Sequence, residues 1–253
     1  MMAHNPQRQD PIAPHPVIGS YYADTAERQP FVRNLFNETA PHYDVINRFF
    51  SLGSGAWYRR RCLEEAGLKP GNRVIDVAVG TGLLAREAVA VTGDRRHVVG
   101  VDLSEGMLAV ARDKLGIPLI QATAEALPLA DASADFVTMG YALRHVADLV
   151  AVFREFRRVL RPGGTVLLLE ISRPTRPVKR MLISAYLGRV VPFLARWSTG
   201  EAHIKTLIQY YWETIDRCVP ADVILGAMRA AGLQEVRCKV DLDLFRSFSG
   251  RRP

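Results

Sequence analysis

The stretch Val74-Ile75-Asp76-Val77-Ala78-Val79-Gly80-Thr81-Gly82-Leu83-Leu84-Ala85 decides the fold. A short β-branched run (73–77) leads into a turn on two glycines and then into helical spacing (83–91), so the segment reads as strand, glycine turn, helix. Glycines at such a turn let the backbone approach a ligand. A second strand-like run, 97–102, closes on Asp102, whose carboxylate is placed to accept hydrogen bonds from ribose hydroxyls. Together they imply a nucleoside-containing cofactor. A dinucleotide is the rival, because Gly80 to Ala85 formally fits G-x-G-x-x-G/A. Asp76 argues against it: a carboxylate at that strand end meets a pyrophosphate with the wrong sign and suits a ligand that carries an ammonium group. A capping role for Asp76 at the strand end stays open.

Working outward, 31–66 reads as helical pieces broken at Pro41 and at the Ser51-Leu52-Gly53-Ser54-Gly55 turn. A helix is expected over 104–115, with Ser104 as its N-cap, and a strand over 119–122. Strands at 134–139 and 165–171 flank an amphipathic helix, 149–160. A helix over 221–231 ends at Gly232, and 235–240 with 244–248 make a closing antiparallel pair. Strands alternating with helices predict an α/β fold with a mostly parallel sheet covered on both faces. Residues 1–30 read as a disordered lead-in rich in proline, and 31–253 as one domain with a helical cap (31–70) and an inserted lid (172–215). The oddest stretch is 171–200, which has no acidic residue but carries Arg173, Arg176, Lys179, Arg180, Arg189 and Arg196 among apolar and aromatic side chains. It suits docking on an anionic membrane surface, with a substrate lid or a dimer face as the competing uses.

Composition bounds the rest. The 253 residues are 48% hydrophobic and 23% charged, which fits a globular chain rather than a disordered or fibrous one. The net charge is +7. That surplus permits nucleic acid or an anionic membrane surface and proves neither. The 3 cysteines, Cys62, Cys218 and Cys238, form no CxxC pair and support no disulfide framework or zinc site. His4, His15, His42, His97 and His203 show no paired ligand spacing, so no metal site is expected. Nothing resembles a secretory signal or a membrane-spanning run, since 181–195 is broken by Arg189 and Pro192. A reducing, cytoplasmic setting is the expectation.

Further blocks sharpen this. Gln121-Ala122-Thr123-Ala124-Glu125-Ala126-Leu127-Pro128 follows the third strand, and Arg158-Val159-Leu160-Arg161-Pro162-Gly163-Gly164 turns a helix into the fifth. In order and spacing these resemble the class I S-adenosylmethionine (SAM) dependent methyltransferases. With Phe36 through Asn47 (FNETAPHYDVIN), Leu143-Arg144-His145-Val146 and Leu169-Glu170-Ile171-Ser172, the chain is similar over about 31–250 to the UbiE/COQ5 family of quinone-ring methyltransferases. The resemblance implies a Rossmann-like, seven-stranded, mostly parallel sheet and SAM as cofactor. It assigns Asp76, Gly80, Thr81 and Gly82 to the methionine end, Asp102 to the ribose, and Thr123 with Ala124 to the adenine side. Met107 would pack near the adenine, with ordinary helix core as its competing reading.

The chain departs from that family where Val79 replaces a common glycine, Leu83 a common acid, His145 the asparagine after the arginine, and Thr123 an asparagine. With the turn VIDVAVGTGLLAREA, the stretch SLGSGAWYRRR and the block GYALRHVADL, these variants look most like the RquA branch, which serves conversion of ubiquinone to rhodoquinone. The resemblance therefore implies exchange of a ring methoxy for an amine, with quinone C-methylation as the alternative and a non-catalytic SAM-binding component of a quinone-modifying complex as a third. In either reaction Arg144 would steady a developing oxyanion or polarise a carbonyl, His145 would move protons, and Tyr43 would line the quinone pocket. Ordinary structural roles compete at each position, and the Arg59-Arg60-Arg61 run reads first as a solvated helix face. A prenylated quinone lives in the bilayer, so peripheral association with an inner membrane is expected, through 171–200, together with a possible homo-oligomer. Nucleic acid ranks low as a partner, since the Asn/Asp-Pro-Pro-Tyr/Phe block of many amino-methylating enzymes is absent.

Overall fold

The computed structural model describes residues 11–51, 54–177, 181, 185–186 and 202–253. Three helices, α1 (Thr25–Thr39), α2 (Tyr43–Ser51) and α3 (Gly55–Glu65), precede the sheet. Its first half runs β1 (Val74–Val77), α4 (Leu83–Thr92), β2 (Val98–Asp102), α5 (Glu105–Leu115) and β3 (Leu119–Gln121). The second half runs β4 (Ala134–Gly140), α6 (Leu149–Val159), β5 (Leu160–Ile171), α7 (Ala202–Arg217), α8 (Ala221–Ala230), β6 (Gln234–Asp241) and β7 (Phe245–Arg251). The seven strands lie in the order β3-β2-β1-β4-β5-β7-β6. β1 is parallel to β2 and β4, whereas β7 is antiparallel to both β5 and β6. This is the mostly parallel α/β sheet that the sequence predicts.

The order reverses between β1 and β4, and that reversal opens a crevice at the carboxyl ends of the two strands. Every residue of β1 is buried, as a central parallel strand requires. On one face α6 buries Leu149, Val150, Val152, Phe153, Phe156 and Val159 at helical spacing, and the Asp148 side chain caps it by accepting from the Val150 amide. β5 starts before its expected boundary because Leu160 pairs with Ala134 ahead of a register shift. No helix covers 122–133 between β3 and β4. Arg158 holds that loop instead, donating to the Leu127 and Leu129 carbonyls at 2.9 and 2.8 Å.

The expected disordered lead-in is corrected over 11–30. The Ile12 amide donates to Asp148 at 3.1 Å, the Leu149 amide to the Ile12 carbonyl at 2.9 Å, and the Val219 amide to the Pro14 carbonyl at 2.8 Å. Ile18 and Tyr22 are buried, and α1 begins at Thr25 under an Asp24 cap. Arg28, also buried, donates to the His15 carbonyl at 2.9 Å and the Val146 carbonyl at 3.2 Å, so it ties this strap to the loop after β4. Prolines suit such a strap because they bring no amide that needs a partner. Most of the stretch 171–200, and with it much of the expected lid, lies outside the described residues. The part of 172–215 that belongs to α7 is core: Leu207, Ile208, Tyr210 and Ile215 are buried. Among the described residues no helix is long and apolar enough to cross a membrane.

Deleting residues 1–22 uncovers the surface under Ile18 and Tyr22, a loss of roughly 3 kcal/mol or more. The expected drop in melting temperature is roughly 6–12 °C. A melt within 2 °C of the full chain, about the scale of a single small change, would show that the strap contributes nothing.

Candidate active site

The turn after β1 is held from several directions. The Gly80 amide donates to one oxygen of Asp102 at 2.8 Å, and the Ser104 amide donates to the other at 2.8 Å, so the carboxylate at the end of β2 anchors both the glycine turn and the start of α5. Gly82 has φ +89°, and a Cβ there would lie 2.2 Å from Leu115 Cδ1. Its left-handed backbone is what calls for glycine, and a side chain there would also have to displace the end of Leu115. The Thr81 hydroxyl donates to Asp44, which also takes Lys114, so Thr81 ties α2 to the turn and its proton is already committed.

Asp76 lies inside β1, buried to 1%. One of its oxygens accepts from the Thr138 hydroxyl on β4 at 2.7 Å, and the other has no partner among the described residues. Burial pushes its pKa up to about 7, against the lowering effect of the Thr138 bond. Beside it, Ala78 (φ +54°) and Tyr141 (φ +62°) sit in the left-handed region at the ends of β1 and β4. Such backbone is costly without glycine and gathers at functional sites.

Three connected chambers meet here. The cofactor-side chamber, about 110 Å³, is walled by Asp102, Leu103, Met107, Ala122, Thr123 and Ala124, with Val32 and Phe36 of α1 across from them. A small inner chamber, about 40 Å³, is lined by Asp76, Gly80, Thr81, Leu83, Asn47 and Arg59. The third, about 260 Å³, is apolar and aromatic, with Trp57, Tyr58, Ile171, Ile215, Leu242 and Phe245. Tyr43 and Tyr141 line all three. The Tyr211 hydroxyl donates to that of Tyr43 at 2.9 Å at their junction.

Arg144 is buried beside the apolar chamber and donates to Glu170 at 3.0 Å and to the Tyr141 carbonyl at 2.7 Å. Its guanidinium lies 4.9 Å from the Tyr211 ring centroid. Burial works against its charge, but Glu170 together with Tyr211 and Tyr43 more than offsets it, and the group stays protonated. His145 points elsewhere. It lines the cofactor-side chamber and not the apolar one, stacks on Tyr210, and places Nδ1 3.3 Å from the Tyr210 hydroxyl. Burial, and then the charge of Arg144, hold its pKa well below 6.5. It is a neutral imidazole that keeps an abstracted proton poorly, so the expected part as proton carrier on the ring does not follow from its placement.

Thus Asp102, Met107, Thr123 and Ala124 wall the cofactor-side chamber, Asp76 and Thr81 the inner one, Gly80 both, and Tyr43 and Arg144 reach the apolar chamber. Gly82 lies behind the turn. Sequence reasoning missed Arg59, Tyr141, Glu170 and Tyr211. For Arg59 a signal existed: α3 buries Tyr58, Arg59, Cys62 and Leu63 at helical spacing, while Arg60 and Arg61 face outward with Glu64 and Glu65. The Val79 departure is absorbed by the core: Val79 is buried against Gly100, where a Cβ would lie 2.8 Å from Leu119 Cδ2 and 3.1 Å from the γ-carbons of Val79.

The strand order, the glycine turn and the two carboxylates at the ends of β1 and β2 define a SAM-dependent methyltransferase of class I fold. The chain belongs to the ubiE/COQ5 methyltransferase family, whose profile matches residues 23–241. It is 33% identical over 226 residues to the ubiquinone/menaquinone biosynthesis C-methyltransferase UbiE of Shewanella sediminis, covering 87% of this chain and 89% of that protein. The protein of that name from Shewanella oneidensis is 34% identical over the same shares. Among solved structures, a SAM-dependent methyltransferase of Thermotoga maritima, described as a possible histamine N-methyltransferase, has a TM-score of 0.61 at 21% identity over 87% of this chain and 99% of its own. Phosphoethanolamine N-methyltransferase 2 of Haemonchus contortus, in complex with SAM, scores 0.55 at 18% identity over 78% of this chain and 52% of its own. The [4+2]-cyclase SpnF scores 0.56 at 18% identity over 78% and 80%. These structures share the fold.

The residues present fit SAM. The unpartnered Asp76 oxygen suits its ammonium, Asp102 keeps a second lone pair on each oxygen for ribose hydroxyls, and Met107 with Ala122 and Ala124 offers apolar walls to an adenine.

Two outcomes are expected. Because ionised Asp76 is the form that binds an ammonium, affinity for S-adenosylhomocysteine should rise about tenfold from pH 6 to pH 8. Calorimetry reads it, with 5′-methylthioadenosine, which lacks the amine, as the flat control; Asp76→Asn should flatten the first profile too, and a steep profile in that variant refutes the assignment. Separately, Glu170→Gln strands a buried guanidinium and should cost roughly 3–5 kcal/mol in urea unfolding, while Arg144→Met with Glu170→Leu should recover most of it. Equal stability of Glu170→Gln and the parent would deny the pair its role.

Proposed function

We propose that this protein modifies the ring of a prenylated quinone with SAM as its cofactor. The apolar chamber carries the reading: it opens on the cofactor crevice through three tyrosines, is walled by aromatic and aliphatic side chains, and has the protonated Arg144 at its inner end. Bound SAM supplies an electrophilic methyl group. Tyr43, Tyr141 and Tyr211 exclude water at the junction, and Arg144 faces the oxygen of the ring. The relatives described as ubiquinone/menaquinone biosynthesis C-methyltransferases support C-methylation of an electron-rich quinol, in which Arg144 stabilises the phenolate.

A specific observation favours a second reaction, exchange of a ring methoxy of ubiquinone for an amine to give rhodoquinone. Quinol methylation calls for a base, yet among the described residues the carboxylate lining the apolar chamber is Asp241, which accepts from Tyr58 at 3.3 Å and lies 3.8 Å from Lys239. Addition of ammonia to an oxidised quinone needs a polarised carbonyl: the ring carbon–nitrogen bond forms, the bond to the methoxy oxygen breaks, and the leaving methoxide takes a proton from nitrogen away as methanol. Leu83, which lines the inner chamber in place of an acid, fits altered chemistry at the same site.

A tail in the bilayer makes a membrane surface the partner. Trp57 and Leu242, 63% and 77% exposed at the mouth of the apolar chamber, support entry from that side.

Mass spectrometry after incubation with SAM and an ammonium salt and, separately, a short-tailed ubiquinone and a demethylated quinol decides between the reactions. A methyl added to the quinol establishes C-methylation, and methoxy replaced by amino in the ubiquinone arm establishes rhodoquinone formation. SAM binding with no product in either arm refutes both and leaves the non-catalytic component.

A further inference from the structure

The inner chamber holds an unusual pair of charges. Its lining contains one acid, Asp76, and one base, Arg59, both buried and neither within ion-pair distance of an opposite charge among the described residues. Arg59 is 5% exposed and has only neutral company: Nη2 donates to Asn47 Oδ1 at 2.8 Å, and the guanidinium lies 5.5 Å from the Tyr141 ring centroid. A buried guanidinium without a carboxylate is expensive unless a ligand completes it. Among the described residues no other lysine or arginine lines either the inner or the cofactor-side chamber.

We infer that Arg59 binds the α-carboxylate of the cofactor's methionine end, opposite Asp76 at the ammonium, so that the inner chamber is a two-pole clamp for an amino-acid zwitterion. Guanidinium and carboxylate match in shape and charge, and the neutral Asn47 holds the fork without competing for it. Arg59 also borders the apolar chamber, where a ring oxygen could claim it. Arg144 and Arg61 already bring cations there, whereas among the described residues the cofactor side has no other. The clamp makes the site selective for nucleosides that keep both ends of the amino acid.

Calorimetry with three probes tests this: S-adenosylhomocysteine, its decarboxylated analogue and 5′-methylthioadenosine. The parent should prefer the first over the second by at least about tenfold, the scale of one charge-assisted contact. Arg59→Gln should erase that preference by weakening S-adenosylhomocysteine alone, with the other two unchanged within about twofold, and Arg59→Lys should restore part of it. Equal weakening of all three probes makes Arg59 a structural residue and overturns the clamp. So does a parent that binds the first two alike. Unchanged nucleoside affinity in Arg59→Gln with a raised KM for quinone assigns the residue to the apolar chamber instead. Should the glutamine variant not fold, Arg59→Lys decides: it keeps the charge but loses the fork, so only S-adenosylhomocysteine should weaken.

Discussion

A carboxyl group inside a parallel sheet is the constraint around which the site is arranged. Asp76 sits in the middle of β1, with strands on both sides and one oxygen taken by Thr138. Desolvation makes an isolated charge there unfavourable and pushes the pKa up to about 7, so a cation brought beside the group would favour its ionised form. For a cation to arrive, the backbone beyond the strand must stand clear of it. The left-handed Ala78 and Gly80 bend the chain away, Asp102 fixes the bend through the Gly80 amide, and Asp44 pins its far side through Thr81. The strain at Ala78 and Tyr141 is affordable because the sheet on either side leaves those residues little choice.

The division of labour between chambers follows from topology. The cofactor side is made by the carboxyl ends of β1, β2 and β4 and the loop after β3, elements that any protein of this fold supplies. The apolar side is made by α2, α3, α7 and the turn between β6 and β7, which lie outside the parallel strands that carry the cofactor side. That is why fold neighbours at 18–21% identity carry names as different as N-methyltransferase and [4+2]-cyclase. Arg144 stands at the border. With Glu170 behind it, the side chain presents a held, oriented guanidinium whose charge is already balanced within the protein.

Much of the frame was legible in the sequence because it is written in local terms. A strand ending in glycines, a capping serine before α5 and the apolar stripe of α6 each announce themselves within a dozen residues. The strap at 11–22 did not, since its order comes from partners such as Asp148 and Val219 far along the chain, and its prolines mimic the composition of a loose tail. Arg59 was hidden by its neighbours, as three arginines in a row look like solvent unless the helical phase is followed. Tyr141 and Glu170 stood inside recognised blocks, but only the folded chain shows that one forms the junction of three chambers and the other a counter-charge. For His145 the sequence offered the right loop and the wrong direction, because which side of a turn a ring takes depends on the aromatic stack around it, here Tyr210 and Phe36.

The meeting of Val79 with Gly100 limits what the turn can become. A Cβ at Gly100 would lie 2.8 Å from Leu119 Cδ2 and 3.1 Å from both γ-carbons of Val79, so three positions share one allotment of space. Exchanging Val79 for glycine opens a void there, yet a side chain at position 100 would still meet Leu119. A family-type glycine turn grafted onto this chain therefore loosens the packing of the turn on β2 without releasing position 100.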